Sequence, residues 1–98
     1  MRFLVIGAGG HSREVADLIS ACGHEVVGFQ DDVVTGAHRP TGLPVVRGLH
    51  EVRAEASTVA VGNPRARERL FTLASAEFAM PALVHSSACV SAYASVGD

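Results

Sequence analysis

The hydrophobic pattern changes its period twice within the first thirty residues. Residues 3–6 are a continuous apolar run, which is typical of a strand buried on both faces of a parallel sheet. After the glycines at 7–10, apolar side chains recur at helical spacing along 11–22, and Gly23 provides a stop signal; they are Val15, Leu18, Ile19 and Cys22. A second strand follows at 25–30, so this stretch predicts one βαβ unit.

The middle of the chain predicts a loop, a short extended piece, a short helix and a third strand. Residues 31–42 are polar and rich in Gly, Pro and Thr, which predicts a loop, and 43–46 reads as a short extended piece whose Pro44 lacks a backbone donor. A short helix is expected over 49–54 and a third strand over 57–61.

The second long helix has a clear start signal. Asn63 is a good N-cap and Pro64 suits the first helical position. The helix is expected to end near Ala74, with four residues on its inner face: Ala66, Leu70, Leu73 and Ala74. Residues 81–84 are expected to form a fourth strand or an extended exit.

The last fifteen residues repeat with a period of six. Val84, Val90 and Val96 are six apart, and a small alanine follows each of the first two by four residues. This period fits the hexapeptide repeats of a left-handed β-helix, which need stacked neighbours to bury their aliphatic side chains. We therefore predict an α/β chain with a small Rossmann-like parallel sheet flanked by helices in 1–83 and the first, truncated repeats of a β-helix in 84–98.

Composition and charge exclude several classes of function. The 98 residues have a net charge of −2 and no basic patch, which argues against nucleic-acid binding. No apolar run reaches the roughly 20 residues of a membrane span, so a soluble, cytoplasmic protein without membrane contact is expected. The histidines form no HxH or HxxxH pair and the two cysteines no CxxC pair, so no metal site is predicted.

The glycine-rich turn after the first strand is the main candidate site. It comprises Gly7, Ala8, Gly9, Gly10 and His11. Glycines allow close approach of the backbone to a phosphate, and the following helix N-terminus presents free N–H groups. Ser12 occupies the third glycine position of the GxGxxG motif, so the fit is partial. A tight turn that binds nothing is the alternative.

Two further sites are expected at the same edge of the sheet. Asp31 and Asp32 follow the second strand, about 20 residues beyond the glycines, where an acidic residue can bind a ribose. Gly62 and Asn63 follow the third strand. Each pair also has a structural interpretation, as turn residues and as a helix cap respectively. Arg65 and Arg69 share one helical face, which suits either a solvated surface or, for Arg65, a phosphate contact.

Five segments, taken together and in their order along the chain, resemble a family of sugar acetyltransferases. This family is related to sialic acid O-acetyltransferase and to the bacillosamine-type nucleotide-aminosugar N-acetyltransferases. The segments are VIGAGGHSREVADLI at 5–19, VGFQDD at 27–32, LPVVRG at 43–48, VAVGNPRARERL at 59–70 and VHSSACVSAYASVGD at 84–98. The resemblance implies a Rossmann-like N-terminal domain that binds a nucleotide-sugar, typically uridine-linked. It would place residues 7–11 at the phosphates and sugar, the Asp pair near the base and residues 62–63 in the same cleft.

The resemblance also implies that the whole protein is an acetyl-CoA-dependent enzyme. In such proteins a C-terminal β-helix trimerises, binds acetyl-CoA and carries a histidine as general base. His85 does not match that base, so this chain is expected to hold no catalytic residue and no cofactor, to be inactive alone and to be monomeric. In the resembling enzymes a residue such as Leu is common at the position of Gln30. Sialic acid is the alternative substrate to a nucleotide-sugar.

Two other classes of function remain open from the sequence. An NAD-type dinucleotide module of an oxidoreductase or regulatory protein has the same unit, in which a strand, a glycine turn, a helix, a second strand and an Asp follow one another. An interaction or assembly domain is the third class, and a glycine turn filled by the chain's own side chains would favour it.

Overall fold

The computed structural model describes residues 1–81, which form a five-stranded sheet and two helices. The elements are β1 (Arg2–Ile6), α1 (Ser12–Ala21), β2 (Glu25–Gln30), β3 (Gly36–Ala37), β4 (Pro44–Val46), β5 (Ala56–Val59) and α2 (Pro64–Ser75). The predicted hexapeptide repeats at 84–98 lie outside the described residues, and so does most of the extended piece predicted at 81–84.

The sheet is mixed, with the order β3-β4-β2-β1-β5. The four strands from β4 to β5 are parallel, and β3 runs antiparallel to β4. The α/β class is thus confirmed, whereas the expectation of an entirely parallel sheet is wrong. A two-residue strand inside a polar loop has no hydrophobic period, so the pattern of residues 31–42 predicted only a loop.

Apolar side chains of β1 form the centre of the core. Phe3, Leu4 and Val5 have no exposed surface and Ile6 is 2% exposed. β1 pairs with β2 along one edge and with β5 along the other. Because successive side chains of a strand point to opposite faces of the sheet, their burial shows that both faces of β1 are covered. The continuous apolar run therefore predicted the central strand correctly.

The buried face of α1 is rotated from the predicted one. Ser12, Ala16 and Ile19 are buried, at i, i+4 and i+7, whereas Leu18 and Cys22 are only half-buried. Small residues at 12 and 16 let the start of α1 lie close to the sheet, which a pattern counting large apolar residues does not register.

Two other predictions about helices are wrong. Residues 49–54 contain turns and bends but no helix, although the Glu51 carboxylate accepts the Gly48 N–H at 2.6 Å, as a residue in the first turn of a helix does for its N-cap. Leu73, expected on the inner face of α2, is 58% exposed, while Ala74 is fully buried. The inner face of α2 is therefore built from alanines and the half-buried Leu70.

The strand order places the candidate residues at one edge of the sheet. Along the chain, β2 and β4 lie on one side of β1 and β5 lies on the other. The direction in which strands are added thus reverses at β1, and ligands of open α/β sheets bind beside such a reversal, at the carboxyl ends of the strands. Gly7 follows β1, Asp31 follows β2 and Ala60 follows β5 at that edge.

Candidate functional site

The glycines of the loop after β1 have different roles. Gly7 has a φ of +109°, and a Cβ at this position would lie 2.9 Å from Cγ2 of Val61. By contrast, a Cβ at Gly9 or Gly10 would have no neighbouring atom of residues 1–81 within 4 Å. Gly7 is therefore required by the turn and its packing, whereas Gly9 and Gly10 leave open space in front of the backbone. We refer to residues 7–11 as the glycine loop.

Asp31 is bonded to the glycine loop. Its Oδ2 accepts the N–H of Ala8 at 2.9 Å, and its Oδ1 accepts the N–H groups of Val33 and Val34 at 2.8 and 3.0 Å. Partial burial raises the pKa of this carboxyl, but the three backbone hydrogen bonds outweigh it and lower the pKa below 3.8. Asp31 is thus an ionised carboxylate that already satisfies the Ala8 donor of the loop.

Asp32 is exposed and is positioned by Gln30. The buried Gln30 side chain donates from Nε2 to the Arg47 carbonyl at 2.9 Å and to Oδ1 of Asp32 at 3.2 Å. Gln30, at a position where the enzymes that this sequence resembles commonly have a residue such as Leu, therefore has two structural partners, the Arg47 carbonyl and the Asp32 carboxylate. Asp32 keeps its second carboxylate oxygen, Oδ2, for other donors.

His11 lies against the loop after β5. A Cβ at Gly62 would lie 3.1 Å from Nε2 of the His11 ring, so the missing side chain of Gly62 makes room for that ring. Asn63 next to it caps α2, since its Oδ1 accepts the Ala66 N–H at 3.0 Å. The contact brings these predicted residues together, and the cap confirms the predicted start of α2.

A buried polar network joins the start of α1 to the segment around β3. Ser12 Oγ bonds the Gly9 carbonyl at 2.6 Å and the Nε2 of His38 at 2.8 Å, while His38 Nδ1 bonds Thr41 Oγ1 at 2.8 Å. The His38 ring stacks on Phe29 with a centroid separation of 3.8 Å. The network ties residues 34–41, here called the β3 loop, to the glycine loop.

Two clefts lie on either side of this arrangement. The main cleft, of about 470 Å³, is formed by the glycine loop, the first turn of α1 and the β3 loop; its lining includes Ala8, Gly9, Gly10, Ser12, Arg13, Glu14, Ala37, His38 and Arg39. The small cleft, of about 170 Å³, is lined by Ile6, Gly7, Gln30, Asp31, Asp32, Val61, Arg69 and Leu70. Of the predicted site residues, Ala8, Gly9 and Gly10 line the main cleft and Gly7, Asp31 and Asp32 line the small cleft, whereas His11, Gly62 and Asn63 line neither. Asp31 joins the two clefts through its bond to Ala8.

A groove of about 520 Å³ on the surface of α2 is slightly larger than the main cleft. Arg65, Glu68, Arg69, Thr72 and Leu73 line it, and none of the glycine loop or Asp pair reaches it. We regard it as the solvated face of α2, because its residues are spaced at three and four along one helix. Arg65 lines this groove and neither of the two clefts.

The chemistry of the main cleft favours an anion. Two arginines and one glutamate line it, and the N-cap residue of α1, His11, makes no side-chain bond to the helix. Unbonded N–H groups and the helix dipole favour negative charge at this end. Among residues 1–81, no three His, Cys, Asp or Glu side chains lie where they could share a metal ion. No helix in that range is long and apolar enough to cross a membrane.

Sequence reasoning missed the polar side chains of the main cleft. The sequence pattern marks Ser12 only as a departure from the third glycine position, and it assigns Arg13, Glu14, His38 and Arg39 to no site. The β3 loop folds over the glycine loop through tertiary contacts, which no local pattern encodes. The one available signal was Ser12, because a serine at that position can bond a partner where a glycine cannot.

Comparison with protein families assigns most of the described chain to one domain family. The family model described as the PglD N-terminal domain matches residues 2–73, which include β1 through most of α2. Searches of the curated proteins and of the solved structures found no match.

Proposed function

The chain belongs to the PglD N-terminal domain family, and we propose that it binds the sugar substrate of an acetyl-CoA-dependent sugar acetyltransferase, in the form of a nucleotide-sugar. The observation that carries this proposal is the main cleft. An open pair of glycines, a helix N-terminus and two arginines converge there on a space large enough for a diphosphate and part of a sugar.

The phosphates are proposed to bind at Gly9 and Gly10. The open space in front of both residues allows oxygen atoms to approach the backbone N–H groups. Arg13 and Arg39 face the cleft from α1 and from the β3 loop, so a diphosphate between them is approached by guanidinium groups from two elements. Glu14 offsets part of this positive charge and offers an acceptor for a sugar hydroxyl or amine.

The nucleoside is proposed to extend toward the small cleft. Asp32 is the exposed carboxylate there, and Gln30 holds it in place. Because Asp31 already accepts three backbone N–H groups, we assign the ribose or base contact to Asp32. Val61 and Leu70 supply the apolar wall that a uracil ring needs.

Acetyl transfer itself is proposed to take place on a C-terminal β-helix domain of the protein, in the cytoplasm. There a histidine base would take the proton of the sugar amine or hydroxyl as it attacks the thioester carbonyl, and CoA would leave as the thiolate. In this proposal the described residues bind and orient the acceptor, residues 1–81 bind no acetyl-CoA, the 98-residue chain is a monomer and the complete enzyme is a homotrimer.

Calorimetric titration of the chain tests this proposal. We expect UDP-N-acetylglucosamine and UDP to bind more tightly than NAD⁺ or N-acetylneuraminic acid. Absence of any response to the uridine compounds at millimolar concentration would contradict it, and tighter binding of NAD⁺ would favour a dinucleotide module instead. Tighter binding of N-acetylneuraminic acid would indicate the sialic acid branch of the resembling enzymes.

The arginines allow a matched test of the phosphate assignment. Arg39→Ala is expected to weaken UDP-N-acetylglucosamine binding about tenfold, because a hydrogen bond to a charged group contributes about 1.5 kcal/mol. Arg53→Ala is the control, since Arg53 is exposed and lines neither cleft. Equal affinities of the two variants would place the phosphates elsewhere.

A further inference from the structure

We propose that His38 is a positioning residue, which as a neutral imidazole holds the glycine loop and the β3 loop in the arrangement that binds phosphates. The inference rests on the proposed function for its ligand. It adds a residue of the β3 loop and a pH dependence to that site.

The hydrogen bonds of Ser12 assign the tautomer of His38. Ser12 has one hydroxyl proton, and its Oγ is 2.6 Å from the Gly9 carbonyl, which can only accept. The proton of the 2.8 Å bond between Ser12 Oγ and His38 Nε2 therefore comes from the ring. Nδ1 of the neutral ring then accepts the hydroxyl proton of Thr41, whose Oγ1 lies at 2.8 Å.

This chain of bonds fixes one peptide plane of the glycine loop. The Gly9 carbonyl accepts both the hydroxyl and, at 3.1 Å, the backbone N–H of Ser12. In a trans peptide the C=O and the following N–H point in opposite directions, and residues 1–81 contain no cis peptide. Holding the Gly9 carbonyl toward Ser12 thus directs the Gly10 N–H away from α1, and Gly10 lines the main cleft.

The surroundings of His38 allow it little freedom and favour the neutral ring. It is 4% exposed and stacks on Phe29 of β2. The charged groups that share the main cleft with it are Arg13 and Glu14 on α1 and Arg39 on its own loop. Burial lowers the pKa of His38 below 6.5, so protonation takes place below that value.

Protonation changes the hydrogen bonds of the ring. A proton on Nδ1 prevents that atom from accepting the Thr41 hydroxyl, which must turn its own proton away. It also places a third positive charge, on a buried ring, in the cleft that Arg13 and Arg39 line. We therefore expect the β3 loop to withdraw from the glycine loop as the pH falls through the folded-state pKa of His38.

The sign of the pH effect separates this role from ordinary electrostatics. UDP-N-acetylglucosamine is a diester of diphosphate without a terminal phosphate group, so it keeps its charge between pH 7.5 and 5.0. Protonation of other histidines makes the chain more positive and would strengthen binding of this anion. The result expected for His38 is a loss of affinity that grows as the pH falls through its folded-state pKa.

Three variants test the inference by calorimetry across this range. His38→Gln keeps an N–H donor but does not titrate, so at pH 7.5 it should bind within about threefold of the unchanged chain, without the loss in acid. His38→Phe keeps a ring against Phe29 but has no donor, and it should bind about fivefold more weakly at pH 7.5. His50→Gln is the control, since His50 is exposed and pairs with Glu77; it should retain the full acid loss.

Failure of this inference is distinguishable from failure of the proposed function. If His38→Gln loses affinity in acid as the unchanged chain does, His38 has no positioning role although the ligand binds. If UDP-N-acetylglucosamine does not bind at all, NMR of the ligand-free chain still tests whether His38 positions the glycine loop. The Gly9 and Gly10 amide signals should then shift at the titration midpoint of the His38 ring and lose that step in His38→Gln; amide signals that ignore the ring would overturn the inference.

Discussion

At the scale of single residues, two adjacent aspartates have unequal roles. Asp31 accepts three backbone N–H groups, whereas Asp32 is exposed and bonds only the Gln30 amide among the contacts described. Asp31→Asn replaces one acceptor oxygen by an NH₂ group facing N–H donors. We expect it to lower the free energy of unfolding by about 1 to 2 kcal/mol, allowing for solvent screening at a half-buried site.

The matched control for that substitution is Asp32→Asn. An exposed substitution of this kind changes stability by less than about 0.5 kcal/mol. Urea unfolding of both variants at pH 7 measures the difference. Equal losses in the two variants would mean that the bonds of Asp31 to Ala8 and the following turn contribute nothing to folding.

The same bonds predict how stability depends on pH. The pKa of Asp31 in the folded chain is below 3.8, its ordinary value in the unfolded chain. The unfolded chain therefore binds the proton first, and the stabilisation is complete well above pH 3.8 and is lost as the pH falls through the folded-state pKa. The stability gap between the unchanged chain and Asp31→Asn should therefore shrink from pH 6 to pH 3. A gap that stays constant over this range would contradict the assignment.

The glycines of the loop also have unequal roles, since Gly7 is required by the fold and Gly9 leaves space for a ligand. Gly7→Ala puts a Cβ 2.9 Å from Val61 and requires an alanine at a φ of +109°. We expect a loss of stability of about 2 kcal/mol or more, since such strain alone costs about 1 to 3 kcal/mol. Gly9→Ala meets open space and should change stability little, while it narrows the phosphate approach and weakens UDP binding. Thermal unfolding together with calorimetry separates the two effects, and equal destabilisation by both would contradict this division of roles.

At the scale of secondary structure, the sequence predicted elements with strong local signals and missed those formed by tertiary contacts. The apolar run at 3–6 and the Asn63–Pro64 start of α2 have local causes, namely burial on both faces and capping. β3 pairs with β4 only because the turn between them brings the two strands together. The bond from the His38 N–H to the Leu43 carbonyl, at 2.8 Å, closes this turn. The helix expected at 49–54 is replaced by turns and bends, because so short a segment has little helical stability of its own.

The same distinction applies to the candidate site. The glycine loop and the Asp pair could be predicted, because the order of elements places them at one sheet edge. Their division between two clefts, and the opposed roles of Asp31 and Asp32, depend on which carboxylate oxygen meets which N–H. His38 lies in a polar loop with no period, so only the folded β3 loop identifies it.

The cap of α2 is an element-scale prediction. Asn63→Ala removes the acceptor of the Ala66 N–H and is expected to cost about 1 kcal/mol of stability. Asn63→Asp keeps a capping oxygen and adds a favourable charge at the helix N-terminus, so it should recover that loss. Urea unfolding measures both variants. If Asn63→Asp is as unstable as Asn63→Ala, the residue stabilises the chain in some way other than capping.

At the scale of the whole molecule, the sheet order implies that stability falls from its centre to the β3 edge. β1 has paired neighbours on both sides and four buried apolar side chains, whereas β3 is a two-residue edge strand with exposed residues. Amide exchange in such a molecule ranges from local opening at weak edges to global unfolding at the core. We expect the slowest exchange in β1 and much faster exchange in β3.

This gradient connects the fold with the proposed site, because the less stable edge carries one wall of the main cleft. UDP-N-acetylglucosamine bound between the glycine loop and the β3 loop should slow exchange at Ala37 and His38, while β1 amides slow only as much as global stability rises. Hydrogen–deuterium exchange with and without the ligand measures both, and β5, whose residues line neither cleft, is the internal control. If protection from exchange grows equally in β3 and β5, the ligand stabilises the molecule without closing this cleft. If the amides of β3 exchange as slowly as those of β1 in the free chain, the stability gradient itself is contradicted.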